Sequence, residues 1–152
     1  NTTIASRFQS NIEAIKKLLG DSGARLAYVF GSVAKGTERL DSDLDVAVLL
    51  DDRIPRDRYG DVLIQLTTDL VGLTHTNDVD VVILNEAPPL LAFNVISTGR
   101  VFLGEHDDRV QFEFDAIRRY IDTRPIRAML DEDLARRLRE IKPRRGEGVG
   151  PW

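Results

Sequence analysis

The sequence predicts a single α/β (α+β) domain, a mixed β-sheet flanked by helices. Three short apolar runs of strand length alternate with segments whose apolar residues recur at helical spacing. The chain has 152 residues, 42% hydrophobic and 30% charged, which suits one domain with a substantial core. We assign the domain and its C-terminal helices to residues 1–141, and expect the Gly-rich, charged tail at 142–152 to be disordered.

The first elements follow from spacing and from glycines. Residues 4–19 carry apolar side chains at steps of three or four before two glycines, which predicts an amphipathic helix. Residues 26–30 form an apolar run that ends abruptly at Gly31, as a buried strand does. A polar stretch follows, and residues 44–50, LDVAVLL, predict the second strand.

The second half of the chain continues the alternation. Prolines favour helix starts because their fixed φ suits the first turn. Apolar residues at helical spacing, such as Val110, Phe114, Ile117 and Ile121, mark the later helices. The predicted elements are a helix from Pro55 to Leu70, a strand at 79–84, a short helix from Pro89 to Ser97, an edge strand at 101–103, and helices at 110–121 and 130–141.

Composition excludes several classes of site. The chain has no Cys and two His, which removes disulfides, thiolate zinc sites and cysteine nucleophiles and leaves little for a histidine-based metal site or triad. Any metal must therefore be held by oxygen. No apolar run is long enough to span a membrane and the N-terminus lacks the layout of a secretory signal, so we expect a cytoplasmic protein with no membrane partner.

The formal net charge of −4 is unevenly distributed. Residues 1–117 carry 11 basic and 19 acidic residues, whereas residues 118–152 carry 10 basic and 6 acidic ones. An acidic body argues against direct nucleic-acid binding. The basic segment from Arg118 onward is either a solvated helix face or the place where a partner docks.

Two carboxylates, Asp43 and Asp45, stand at the start of the second predicted strand. Because side chains alternate across a strand, both face the same way, about 7 Å apart by Cα. Two neighbouring anions call for a cation, and hard oxygen donors select Mg²⁺ or Ca²⁺. If the third strand lies beside the second, Asp80 completes a cluster suited to two-metal chemistry at phosphorus. Asp78 faces the same way and remains an alternative third carboxylate.

Gly31 and Ser32 follow the first strand and predict an anion site. A glycine that permits close backbone approach, a hydroxyl, and the free N–H groups of a turn or short helix would together receive a triphosphate. A Walker A loop is excluded, because Thr37 and Glu38 stand where its Lys-[Ser/Thr] pair belongs. Lys35 either reaches a phosphate or is solvated in the linker.

The carboxylates also invite comparison with a calcium loop, since Asp41, Asp43 and Asp45 open the D-x-D-x-D pattern. An EF-hand needs Gly at loop position six and Glu at position twelve, where this chain has Val46 and Asp52. The EF-hand is therefore rejected. A polar turn entering a strand is the structural alternative, and Asp41 is interpreted as a turn or cap residue.

These motifs resemble the nucleotidyltransferase superfamily of DNA polymerase β. Gly31 and Ser32, ten residues, the Asp-Leu-Asp run at 43–45 and a later Val-Asp-Val strand around Asp80 carry the resemblance. The short length and the segment VDVVILNEAPPLLAFNVISTGRVFLG resemble its minimal nucleotidyltransferase (MNT) domains. The segment FEFDAIRRYIDTRPI is similar to MNT antitoxins that are paired with HEPN ribonuclease toxins. The resemblance covers roughly residues 5–125 and implies a polymerase-β-like fold.

The resemblance also implies roles. Gly31 and Ser32 would hold the β and γ phosphates of ATP, and Asp43 and Asp45 would ligate Mg²⁺, in two ions. Asp80 would complete the metal site and take the proton of the attacking hydroxyl. The family members transfer AMP to a tyrosine of the HEPN toxin, release pyrophosphate and so neutralise the toxin, which implies a heteromeric complex.

Two other functions stay open at this point. One is a nucleotidyltransferase with a small-molecule acceptor, which normally needs a further acceptor domain. The other is a non-catalytic antitoxin that blocks its partner by binding and needs no carboxylates. The sequence does not identify the preferred base, the modified tyrosine or the assembly state.

Overall fold

A computed structural model describes residues 3–36 and 43–140. The strands are β1 (Ala24–Phe30), β2 (Leu44–Leu50), β3 (Val79–Ile83) and β4 (Arg100–Leu103). The helices are α1 (Ile4–Ser10), α2 (Ile12–Asp21), α3 (Gly31–Lys35), α4 (Tyr59–Thr74), α5 (Pro89–Thr98), α6 (His106–Asp122) and α7 (Arg124–Glu140). Short 3₁₀ turns at Arg56–Arg58 and Leu84–Glu86 precede α4 and α5.

The four strands form one mixed sheet in the order β3-β2-β1-β4. β1 is antiparallel to both of its neighbours, and β2 is parallel to β3. The parallel pair requires a crossover, which α4 supplies. The predicted mixed sheet and the edge position of the last strand are both confirmed.

Alternation along the strands builds a core on each face of the sheet. Ala27 and Val29 of β1 join a cluster with α1, α2 and α4, whereas Leu26, Tyr28 and Phe30 join a second cluster with α5 and α6. The same alternation in β2 and β3 sends Val46 and Val79 to the first cluster and Ala47 to the second. Asp45 and Asp80 therefore lie on the face that carries α5 and α6.

The prediction of one continuous helix over residues 4–19 is wrong at Asn11, where α1 ends and α2 begins. Asn11 has φ −108° and ψ 14°, and its side-chain amide donates to the carbonyl of Arg7 at 2.8 Å. An asparagine side chain competes with the backbone ladder in this way, which apolar spacing does not reveal. The other predicted elements begin and end within four residues of the observed ones, except that the helix predicted at 130–141 begins six residues earlier, at Arg124. Ile141 and the tail lie outside the described residues.

Arg7 ties the N-terminal helix to the end of α4. Its guanidinium donates to the carbonyls of Thr74 at 3.1 Å and His75 at 2.9 Å. His75 ends α4 in the left-handed region, with φ 54°. The last carbonyls of a helix lack intrahelical partners and carry partial negative charge, so a cation there stabilises the helix end.

Two polar contacts fix α6 along β1. Arg25, near the start of β1, pairs with Asp108 at 2.5 Å, and the buried hydroxyl of Tyr28 donates to Glu113 at 2.7 Å. Arg109 pairs with the same glutamate at 2.7 Å. These contacts advance together along both elements, so α6 runs in the direction of β1 and its second half lies towards the end where β1 meets α3.

The outer surface of α6 and most of α7 lack packing partners within the described chain. The large apolar residues exposed on these helices are Val110, Phe114, Ile117, Ile121, Ile126, Met129, Leu130 and Leu134. Only Phe112 and Ala116 of α6 are buried. None of the described helices combines the length and the hydropathy needed to span a membrane.

Candidate active site

The site begins where β1 turns directly into α3. Phe30 is the last residue of β1 and Gly31 is the first residue of α3, so no loop separates strand from helix. Gly31 has φ +72°, a conformation that glycine adopts without strain. Ser32 is half-buried in the same first turn, next to the N–H groups that a helix start leaves unpaired.

Asp45 lies at the centre of the site. It is the second residue of β2 and sits in register with Phe30 on one side and with Asp80 of β3 on the other. Its neighbours Leu44 and Val46 are fully buried on the opposite face, which fixes the direction of the Asp45 carboxylate. The hydrophobic core thus determines where this charge points.

Gly31 and Asp45 are in close contact. A methyl group on Gly31 would overlap the Asp45 carboxylate. Two features therefore favour glycine at position 31, namely the positive φ and the space that the Asp45 carboxylate occupies. Sequence reasoning assigned Gly31 to the phosphates alone and missed this contact; an antiparallel register between the two strands would have revealed it.

Asp43 and Asp80 are the other two members of the carboxylate cluster around Asp45, and both are exposed. Asp78 is also exposed, so burial does not separate it from Asp80 as the third carboxylate. Register does separate them, because Asp80 is the direct partner of Asp45. The backbone carbonyl of Asp78 instead accepts from Leu44 N at 2.7 Å, one step nearer the start of the strand.

Burial raises the pKa of Asp45 to about 6, and the neighbouring charges of Asp80 and Asp43 add to the rise. Near neutral pH the group is ionised, at an electrostatic cost. No cation among the described residues offsets this cost at Asp45. The described part of the chain also contains no group of three His, Asp or Glu side chains arranged to hold a metal ion.

The donor set nevertheless fits a hard divalent cation. All the candidate ligands are carboxylate oxygens, the kind of ligand that Mg²⁺ prefers. The uncompensated charge at Asp45 is what a bound cation would neutralise. Lys35, at the far end of α3, is exposed, and residues 37–42, with Asp41, lie outside the described chain.

Comparison with known proteins identifies relatives over most of the chain. The family described as polymerase beta, nucleotidyltransferase matches residues 13–108. The protein adenylyltransferase MntA of Shewanella oneidensis is 31% identical over 144 residues, covering 93% of this chain and 99% of MntA.

Solved structures agree with that relationship. A crystal structure of a toxin–antitoxin with AMP-PNP is 30% identical, with a TM-score of 0.72, over 82% of this chain and 98% of the matched chain. A tri-AMPylated HEPN toxin in complex with its MNT antitoxin, from Shewanella oneidensis, matches at 28% identity and a TM-score of 0.67, over 84% of this chain and 98% of the matched chain.

Proposed function

The chain belongs to the polymerase beta nucleotidyltransferase family, and from that premise we propose that it is an antitoxin that transfers AMP from ATP to a tyrosine hydroxyl of a HEPN-type toxin. Its relative MntA is named a protein adenylyltransferase, and a related antitoxin has been solved with a tri-AMPylated toxin. The chain spans almost the whole of both relatives. The activity carried over is therefore that of the complete relative.

Gly31 and Ser32 bind the β and γ phosphates in this proposal. The start of α3 presents backbone N–H groups and the Ser32 hydroxyl beside the carboxylates. N–H groups at a helix start and a hydroxyl are donors, and phosphate oxygens are acceptors, so the two sets match. The contact between Gly31 and Asp45 keeps the phosphate site and the carboxylates in a fixed relation.

Asp43, Asp45 and Asp80 would hold Mg²⁺, in two ions, which would supply neutralisation of the charge on the phosphates and on the leaving pyrophosphate. Asp45 is held by β2 between Phe30 and Asp80, and its ionised form is the one that ligates. The pairing of β2 with β3 limits the freedom of Asp45 and Asp80 to move, which preorganises this part of the site, while Asp43 directly precedes β2.

The reaction is a substitution at phosphorus. The tyrosine oxygen forms a bond to the α-phosphorus of ATP while the bond from that phosphorus to the bridging oxygen breaks and pyrophosphate leaves. Asp80 takes the hydroxyl proton, directly or through a water molecule. Because the chain supplies no covalent intermediate, positioning and electrostatics provide most of the rate enhancement.

One observation carries the proposal, namely the register of Asp45 opposite Asp80 beside Gly31. It joins three sequence motifs, separated by as many as 49 positions, at one end of the sheet. Neither the phosphate site nor the carboxylate cluster is specific to nucleotidyl transfer alone. Nucleotidyl transfer needs both at one place, and this arrangement would supply both.

The test is label transfer from α-³²P-ATP with Mg²⁺ to a HEPN-type toxin, taken from the neighbouring gene where that gene encodes one, followed by mass spectrometry of its tyrosines. We expect AMP on tyrosine, release of pyrophosphate and loss of ribonuclease activity. Transfer that survives an Asp43→Ala, Asp45→Ala double variant would refute the proposed site. Neutralisation without any label would instead identify an antitoxin that acts by binding, and label on a small molecule alone would identify the other alternative.

A further inference from the structure

We propose that the exposed apolar face of α6 and α7 is the docking surface for the tyrosine-bearing acceptor protein. We define this outer face as Val110, Phe114, Ile117 and Ile121 of α6 with Ile126, Met129, Leu130 and Leu134 of α7. The inference rests on the proposed function, since it names the surface by which that function's substrate is held.

The outer face of α6 has the pattern of a helix-binding seam. Its four apolar residues are separated by steps of four, three and four, which is the heptad spacing of coiled coils. The helix therefore has two apolar sides. Phe112 and Ala116 face the sheet and are buried, while Phe114, on the outer side, is 64% exposed. The outer side of α6 takes no part in the core, and an exposed apolar surface of this kind is typical of a site where another molecule binds.

The α7 helix lacks support from the body of the protein. Every described side chain of α7 is exposed except Asp133, which is half-buried and pairs with Arg136 and Arg137 of the same helix. Isolated helices of this length are marginal in water, and local ion pairs add only about 0.5 kcal/mol each. An exposed Met129 and its apolar neighbours are thus suited to packing against a partner.

α7 cannot cover α6 by folding back. A single residue, Thr123, separates the end of α6 from the start of α7. An antiparallel helix hairpin needs a connection of about two to five residues. Within the described part of the chain, α7 therefore leaves the outer side of α6 uncovered, and we assign its cover to a different molecule.

The size of the outer face suits a stable protein complex. Its eight side chains expose roughly 100 Å² each, so the four on α6 and the four on α7 each offer about half of the ~800 Å² that one partner contributes to a standard interface. A small molecule would leave most of this surface uncovered.

Position identifies the acceptor as the occupant. α6 runs along β1, from the Arg25–Asp108 pair towards the end of the strand, where Gly31 meets Asp45. α6 also packs on the sheet face that carries Asp45 and Asp80. A helical partner seated on the second half of α6 would thereby lie towards the end of the sheet that carries the carboxylates. The basic segment from Arg118 onward, where docking is expected from the sequence, contains Ile121 and the apolar residues of α7, which in this proposal provide the contact area.

The experiment compares Phe114→Glu combined with Ile117→Glu against the matched control Ile64→Glu. Ile64 is 68% exposed on α4, which packs on the opposite face of the sheet. We expect the double variant to raise the KM for the toxin about 30-fold or more, as loss of central interface residues does, with kcat within about threefold. Ile64→Glu should change neither by more than about twofold. Affinity for AMP-PNP should be unchanged in both variants.

Several outcomes separate this inference from the proposed function. If the wild-type chain binds the toxin and the double variant does not, yet no AMP is transferred, the docking surface stands and the proposed function fails. If AMP is transferred and the double variant matches Ile64→Glu, the docking surface is wrong. If light scattering of the isolated chain shows a dimer that the double variant dissociates while toxin modification persists, the outer face belongs to a second copy and the inference is overturned.

Discussion

Two regions, the strand end with Asp45 and Asp80 and the outer face of α6 and α7, carry groups that the described part of the chain does not compensate, and the groups are of opposite kinds. At the strand end the uncompensated property is negative charge, and the packed core holds Asp45 in place. On the outer face it is apolar surface, carried by the side of α6 that faces away from the sheet and by the exposed α7. A bound cation would neutralise the negative charge, and a bound protein would cover the apolar surface. Substitutions in the two regions should therefore affect different kinetic constants.

The largest expected effect is on chemistry at the strand end. Asp45→Ala should reduce AMP transfer by at least about 1,000-fold, equivalent to about 4 kcal/mol, because it removes a proposed metal ligand that the core holds in place. Toxin binding, measured by calorimetry, should persist. Asp80→Ala should behave in the same way, while Asp78→Ala should lose less than about fivefold. A larger loss in Asp78→Ala than in Asp80→Ala would reverse our assignment of the third carboxylate.

Gly31→Ala should combine a loss of stability with a loss of activity. The added methyl group overlaps the Asp45 carboxylate and also occupies a left-handed conformation, so we expect about 2–3 kcal/mol of destabilisation and displaced phosphates. Gly36→Ala is the matched control, since Gly36 has φ +71° and open space around it. It should cost only about 1 kcal/mol. Equal urea midpoints for the two variants would show that the Asp45 contact contributes nothing.

Asp45→Asn should make the metal-free protein more stable. The folded-state pKa of Asp45 is raised from 3.8 to about 6, so the folded state binds more protons than the unfolded state between these values, and wild-type stability falls as pH rises through this window. The full shift is worth about 3 kcal/mol, which partial solvent exposure reduces to about 1 kcal/mol.

Chemical denaturation in EDTA measures this effect. Asp45→Asn should be about 1 kcal/mol more stable than wild type at pH 7.5 and no more stable near pH 4. Asp78→Asn serves as the control and should show no such pH-dependent gain. A stabilisation of Asp45→Asn that is the same at both pH values would exclude charge repulsion as its cause.

The smallest expected effect concerns the inner side of α6. Tyr28→Phe removes the hydroxyl that donates to Glu113 and should cost about 1 kcal/mol of unfolding free energy. Burial and the neighbouring glutamate raise the pKa of Tyr28, so this bond should not weaken at mildly alkaline pH. Tyr59→Phe, on α4, is the control. AMP transfer should remain near wild type in both, whereas a rise in the KM for the toxin would mean that Tyr28 positions the outer face.

The strands could be predicted from the sequence, but the surfaces against which the helices pack could not. Residues 44–50 were predicted correctly because a buried apolar run has few alternatives. Val110 and Phe114 correctly marked a helix, yet they lie on its exposed side while Phe112 faces the sheet. Apolar periodicity identifies a face that will be covered, and only the tertiary structure tells whether the chain itself covers it.

At the candidate site, too, some features could be predicted from the sequence and others depend on the tertiary structure. The residue types and spacings at Gly31, Asp43 and Asp45 predict a phosphate and metal site from the sequence alone, and the structure brings Gly31 against Asp45. The choice between Asp78 and Asp80 could not be made that way, since both face the same side of one strand. Strand register, a property of the assembled sheet, distinguishes them.

The parallel pairing of β2 with β3 has a consequence for the order of folding. Asp45 and Asp80 are 35 residues apart in the chain, and their strands can pair only after α4 has crossed over the sheet. Non-local pairing of this kind is slow because the entropy of loop closure is lost before the strand contacts form and stabilise the pair. We therefore expect the two carboxylates to meet late, after the β1–β2 pair has formed, so that their repulsion falls on the last step of folding and not on its nucleus.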